Sequence, residues 1–102
     1  MAGIQGAWNI VVHTYMGDQN SVHEYEVDGG VLTGTITDGG NGNKAQIREG
    51  KVEGDHFSFQ FTIKIPIGEM EFTMEGALQA DGTIKGNSSN AMGSFEFEGT
   101  RV

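Results

Sequence analysis

His56-Phe57-Ser58-Phe59-Gln60-Phe61-Thr62-Ile63-Lys64-Ile65 alternates without a break, apolar at every odd position and polar at every even one. A period of two belongs to a β-strand, because successive side chains leave opposite faces of the sheet. One face of this strand is therefore buried and the other wet. The same reading extends in both directions. Met70, Phe72, Met74, Gly76 and Leu78 oppose Glu69, Glu71, Thr73, Glu75 and Ala77, and Phe95, Phe97, Gly99 and Arg101 oppose Glu96, Glu98 and Thr100. Near the start, Trp8, Ile10, Val12, Thr14 and Met16 share a face, and Leu32, Gly34 and Ile36 oppose Thr33, Thr35 and Thr37. Between these runs lie Gly17 to Asn20, Asp28-Gly29-Gly30, Asp38 to Asn43, Glu53-Gly54-Asp55, Ile67-Gly68-Glu69, Asp81-Gly82 and Met92-Gly93. Seven turn signals and no helical period imply an all-β chain, an eight-stranded antiparallel up-and-down barrel forming one domain over residues 1–102.

Composition narrows what such a barrel does. Fourteen acids against six bases give a net charge of −8. A general nucleic-acid binder needs a basic footprint to displace counterions from phosphate, and an anionic membrane makes the same demand. Neither nucleic acid nor membrane is an expected partner. With no cysteine in the chain, disulfides, thiolate catalysis and thiolate-bound zinc are excluded. The absence of disulfides in so small a domain, and of any apolar leader at the N-terminus, leads us to expect a cytoplasmic protein. The outward-facing Val11, Tyr15 and Ala77 allow at most a modest interface, so a homodimer is the largest assembly expected.

A short motif, apolar residue, any residue, then Gly, recurs as Leu32-Thr33-Gly34, Val52-Glu53-Gly54, Ile84-Lys85-Gly86 and Phe97-Glu98-Gly99. Glycine within a strand weakens pairing unless the backbone must bend or something approaches closely, and a tightly curved barrel needs both. Gly6-Ala7-Trp8 at the first strand, followed by Gly30-Val31-Leu32-Thr33-Gly34-Thr35 at the third, resembles the avidin/streptavidin pattern. Gly-x-Trp also resembles the lipocalins, which share the calycin-type barrel. The terminal Phe97-Glu98-Gly99-Thr100-Arg101 extends the likeness. The resemblance implies a ligand held in the mouth of the barrel. It does not imply biotin. Two positions where a biotin binder offers polar groups to the ureido ring are Ile10 and Ile36, and Trp8 is the only tryptophan. Thr14 still matches a hydroxyl position.

Turn geometry extends the inward set. A two-residue turn at Gly29-Gly30 pairs Tyr25 with Gly34 and His23 with Ile36, which turns His23 and Tyr25 inward. Turns at Gly68-Glu69, Asp81-Gly82-Thr83 and Gly93-Ser94 would pair Ile63 with Met74, Gly76 with Ser88, and Asn90 with Phe97. The expected interior is then mainly Trp8, Ile10, Ile36, Phe57, Phe59, Phe61, Phe72, Phe95, Phe97, Met70, Met74 and Met92. Thr14, His23, Tyr25, Ser88, Asn90 and Arg101 are sparse polar groups among them. Apolar walls with a few fixed polar groups describe a small-molecule site. The residues expected to meet a hydrophobic or aromatic ligand are Trp8, Thr14, His23, Tyr25, Ile36, Phe59 and Phe61, with Phe72, Met74, Ser88, Asn90, Phe97 and Arg101.

Other readings stay open. Six Phe and several Met can fill a small barrel solid, leaving an accessory or oligomerisation module. His23 and Tyr25 can be a satisfied buried pair, or the catalytic acid and base of a cofactor-free isomerase or cyclase. Arg101 at a barrel end suggests a rim salt bridge with Glu49 or Asp55. Glycines 34, 76, 86 and 99 either curve the strands or leave a void. Gly39 to Asn43 reads as a lid or a plain hairpin connection, since no helix follows to bind phosphate. No cofactor is expected, and His13, His23 and His56 fall on different strands, which argues against a metal.

Overall fold

In the computed structural model, residues 3–15, 17–39, 42–65, 68–91 and 93–102 are described. Met16, Gly40, Asn41, Ile67 and Met92, which the sequence reading placed in the interior or at turns, lie outside them. The strands are β1 (Gly6–Thr14), β2 (Gly17–Asp28), β3 (Val31–Asp38), β4 (Lys44–Gln46), β5 (Arg48–Glu53), β6 (His56–Ile65), β7 (Gly68–Leu78), β8 (Ile84–Asn90) and β9 (Gly93–Arg101). Every sequential pair from β5 to β9 is antiparallel, β9 returns to β1, and β2 joins β3. β4 and β5 both pair with β3 and act as two halves of one stave. The result is a closed, up-and-down barrel of eight antiparallel staves, with no helix among the described residues.

The broken stave has a cause visible in its side chains. Ala45 and Ile47 face inward at odd positions, whereas Val52 faces inward at an even one. Only an extra residue can switch the phase. It sits where the β5–β6 register slips between Arg48 and Lys51, with Glu49 at φ 52°. That is a β-bulge, which bends the wall of the barrel.

The β2–β3 hairpin follows the register expected of Gly29-Gly30, with Tyr25 opposite Gly34 and His23 opposite Ile36. The other three hairpins differ. β6–β7 pairs Ile63 with Met70 and Phe59 with Met74; β7–β8 pairs Gly76 with Gly86 and Met74 with Ser88; β8–β9 pairs Asn90 with Gly93 and Gly86 with Phe97. Gly68 and Gly93 start the returning strands rather than forming the turns. Each slip is an even number of residues, so no side chain changes face.

Glycine closes the wall rather than opening a void. Gly34 has φ 151°, and a Cβ there would collide with the Glu24 carbonyl. At Gly99 a methyl would meet Ile10 and Ile84, and at Gly76 it would meet the rings of Phe57 and Phe97. Those neighbours already occupy the space, so of the two readings of these glycines a void is not the one found.

The core is continuous from Ile4 and Trp8 through Ile10, Tyr25, Leu32, Phe57, Phe59, Ile84 and Phe97 to Ile36, Phe61 and Met74. Phe57, Phe59 and Phe61, two residues apart on β6, make a ladder of rings with successive centroids 6.3 and 6.0 Å apart. Tyr25 leans on Phe57 and Phe59 from across the barrel.

Candidate functional site

The two ends of the barrel differ. At the end holding the chain termini, Trp8 is fully buried and its Nε1–H donates to the Ile4 carbonyl at 2.8 Å. The Arg101 guanidinium lies 4.4 Å from the centre of the Trp8 ring. Its Nη1 donates to the Gln5 carbonyl at 2.9 Å and its Nη2 to the Gly3 carbonyl at 2.6 Å. Arg101 therefore ties the N-terminal segment across the barrel end and seals it. The expected salt bridge to Glu49 or Asp55 is not formed; backbone carbonyls take the guanidinium instead. Trp8 and Arg101 belong to this closed end and meet no cavity.

The opposite end is hollow. A cavity of about 170 Å³ opens between β1, β2, β3, β6, β7, β8 and β9. Its deep part is formed by His23, Ile36, Phe61, Met74 and Ser88, and its upper wall by Val12, Ile63, Phe72 and Phe95. Thr14, Gln19, Asn20, Ser21, Asp38 and Asn90 complete its lining. Phe61 and Phe72 face each other across the β6–β7 pair, stacked with centroids 4.9 Å apart and planes 5° apart. They make one stacked aromatic pair in the wall. The barrel is thus solid below and hollow above, so neither uniform reading of the interior holds.

Of the thirteen residues expected at a ligand, Thr14, His23, Ile36, Phe61, Phe72, Met74, Ser88 and Asn90 line this cavity. Tyr25, Phe59 and Phe97 lie beneath it in the filled core. Val12, Ile63 and Phe95 were read as inward-facing but not as ligand residues, and sequence reasoning missed Asp38, Ser21, Gln19 and Asn20 altogether. Asp38 extends the inward series Leu32, Gly34, Ile36 by one step, and Ser21 extends Tyr25, His23. Carrying each alternation to the end of its strand finds both.

A hydrogen-bonded chain runs from the core to the cavity. Tyr25 Oη lies 2.7 Å from His23 Nδ1, and His23 Nε2 lies 3.0 Å from Ser21 Oγ. Tyr25 is buried among phenylalanines, so its hydroxyl proton has one place to go, His23 Nδ1. That fixes the imidazole with its proton on Nε2, donating to Ser21. Burial pushes His23 from 6.5 down to about 3 and raises Tyr25 far above its usual range. At neutral pH the imidazole is uncharged and a weak proton acceptor, whereas a general base works best near the operating pH. The pair is suited to shaping the cavity floor, its polar atoms turned on each other.

Ser88 differs from that pair. It is 3% exposed, and its hydroxyl has no hydrogen-bond partner among the described residues. No fully buried side-chain nitrogen or oxygen among them is left unpaired. The Ser88 hydroxyl therefore opens onto the cavity it lines, opposite Met74 and Phe95 on the neighbouring strands. Thr14, by contrast, donates to the Gly17 carbonyl at 2.6 Å and holds the β1–β2 corner.

The outer surface carries acids and two histidines. His13 sits 2.9 Å from Asp18 and 3.4 Å from Glu98, and its proton affinity is raised by the hydrogen bond to Asp18 first and by Glu98 after it. His56 is exposed. Among the described residues no three His, Cys, Asp or Glu side chains gather as a metal site. No described helix is long and apolar enough to cross a membrane. Searches against protein-family models, curated proteins and solved structures give no match to this chain.

Proposed function

We propose that the protein binds a small, single-ring, mainly apolar molecule in the mouth of its barrel. One observation carries this reading: a cavity of about 170 Å³ with largely apolar walls receives the hydroxyl of the buried residue Ser88, which has no hydrogen-bond partner among the described residues. Polar groups withdrawn from water normally find a partner, and one aimed into an apolar space is satisfied by what fills it. The resemblance of Gly6-Ala7-Trp8 and the Gly30 to Thr35 stretch to avidin-like and lipocalin-like barrels, which bind at the mouth, supports the same end of the molecule.

Volume sets the ligand's size. A dry cavity of about 150 Å³ accepts benzene, whereas drug-sized ligands occupy about 300 Å³ or more. The cavity here fits one ring with one or two substituents. Burying roughly 200 Å² of such a ligand at about 25 cal/mol per Å² gives about 5 kcal/mol, a Kd on the order of 0.1–1 mM for a simple probe. The stacked Phe61–Phe72 pair offers aromatic contact to a ring, and the Ser88 hydroxyl fixes a polar substituent.

The test is titration calorimetry with p-cresol on the parent protein and on Ser88→Leu, whose side chain fills the cavity. Saturable binding by the parent and none by the variant is the expected result. Equal binding by both places the ligand elsewhere, and binding by neither overturns the proposal. Native mass spectrometry of the purified protein checks the same reading from the other side, through a retained species of one-ring mass.

A further inference from the structure

Charge at the mouth narrows the ligand class, on the reading that this mouth is the ligand site. Fifteen residues line the cavity, and Asp38 is the one acid among them; no lysine or arginine is present. Lys44 and Lys64, on strands beside the mouth, are exposed on the outer face, Lys44 paired with the outward Thr37. His23 contributes no positive charge, since burial keeps it neutral. Asp38 follows Ile36 on the inward face of β3 and is half-buried beside Ser21, its neighbour on β2.

We propose that the ligand is a cationic aromatic, a primary arylalkylamine whose ring lies against Phe61 and Phe72 and whose ammonium meets Asp38 at the rim. The spacing suits it. Asp38 is two residues above Ile36, about 7 Å along the strand, the reach of a two-carbon linker from a ring seated at the level of Ile36 and Met74. Gln19, in phase with the inward Ser21 and His23 on β2, adds a polar side chain at the exposed rim, so the ammonium keeps a wet environment while the ring is desolvated. A carboxylate or phosphate in the same place meets Asp38 with the wrong sign and finds no cation in the lining. The net charge of −8 adds a long-range field of the same preference. Ser88, deep in the cavity, accepts from or donates to a hydroxyl on the ring.

Three probes of matched size separate this inference from the reading beneath it: 4-ethylphenol (neutral), tyramine (cation) and 4-hydroxyphenylacetate (anion). Titration at pH 7 and low salt on the parent protein is expected to rank tyramine about tenfold above 4-ethylphenol, and 4-hydroxyphenylacetate about tenfold below it. Asp38→Asn is expected to bring tyramine and 4-ethylphenol within about threefold of each other. Raising sodium chloride on the parent protein gives an independent measure, since it is expected to weaken tyramine alone. If 4-ethylphenol binds as tightly as tyramine, the cationic preference is wrong while the mouth site stands. A tyramine preference untouched by Asp38→Asn assigns it to the overall field and refutes the Asp38 contact. If none of the three binds, the mouth reading fails and this inference with it.

Discussion

Acid should destabilise this barrel through His23. In the folded chain the imidazole is 1% exposed and holds its proton affinity near 3, against 6.5 in the unfolded chain. Between those values the unfolded state binds a proton on His23 that the folded state refuses. Stability from this residue is fully present above about pH 6.5 and is lost as pH falls toward 3. One proton of difference gives a slope of about 1.4 kcal/mol per pH unit, and across the window a loss on the order of 5 kcal/mol. That is a large part of the ~5–15 kcal/mol that holds a domain together. The assay is urea unfolding from pH 7.5 to 4.0, comparing the parent with the double variant His23→Leu/Tyr25→Phe. Both hydrogen-bonding partners leave together in that variant, so no buried group is stranded. Carboxylates and His13 titrate in both proteins and cancel in the difference. The parent should lose roughly 1 kcal/mol per pH unit more than the double variant below pH 6. Parallel curves would show that His23 is not buried in the neutral form and would refute the inward placement of β2.

Tyr25→Phe alone removes the donor to His23 Nδ1 with little change of volume, leaving a buried acceptor at a cost of about 1–3 kcal/mol. Its melting temperature should fall by about 5–15 °C in calorimetry, and an unchanged value would mean the bond is absent. Gly34→Ala drives a methyl into the Glu24 carbonyl at a φ that side-chain-bearing residues avoid, and should destabilise by about 2 kcal/mol or more in the same assay. His13→Gln should act with the opposite pH sign to His23: the stability that Asp18 and Glu98 lend protonated His13 is present below pH 6.5 and lost as pH rises through the raised folded value. Loss of that pH dependence in the variant's unfolding curves is the check.

What the sequence made legible follows from how a strand is built. Parity is local, so the inward placement of Phe61 and Met74 was readable from alternation, and that of His23, Tyr25 and Ser88 followed through hairpin pairing, which even slips leave intact. Register was readable where the turn declared itself, at Gly29-Gly30, whose two residues match the observed pairing of Tyr25 with Gly34. Elsewhere a glycine marks the turn without standing at its centre. Gly68 and Gly93 instead open their strands at φ 142° and 135°, opposite Ile65 and Asn90. The seal at the closed end was not readable, because Arg101 finds the Gly3 carbonyl across nearly the whole chain. Nor was the position of the cavity. It depends on how Phe57, Phe59 and Phe97 fill the lower barrel, with Gly76 and Gly99 leaving the room their rings and the isoleucines require. The bulge at Glu49 did leave a trace, the change of phase between Ile47 and Val52.

The mouth cavity is tested most directly by heteronuclear NMR of the protein titrated with p-cresol. Saturable shifts should centre on the amides and methyls of Ile36, Met74, Ser88 and Ile63, with ring-current changes at Phe61 and Phe72. The Trp8 indole N–H, held by the Ile4 carbonyl at the sealed end, should stay in place. Shifts confined to the outer wall, or none that saturate up to about 10 mM, roughly ten times the weakest Kd expected here, would contradict a ligand site in the barrel mouth.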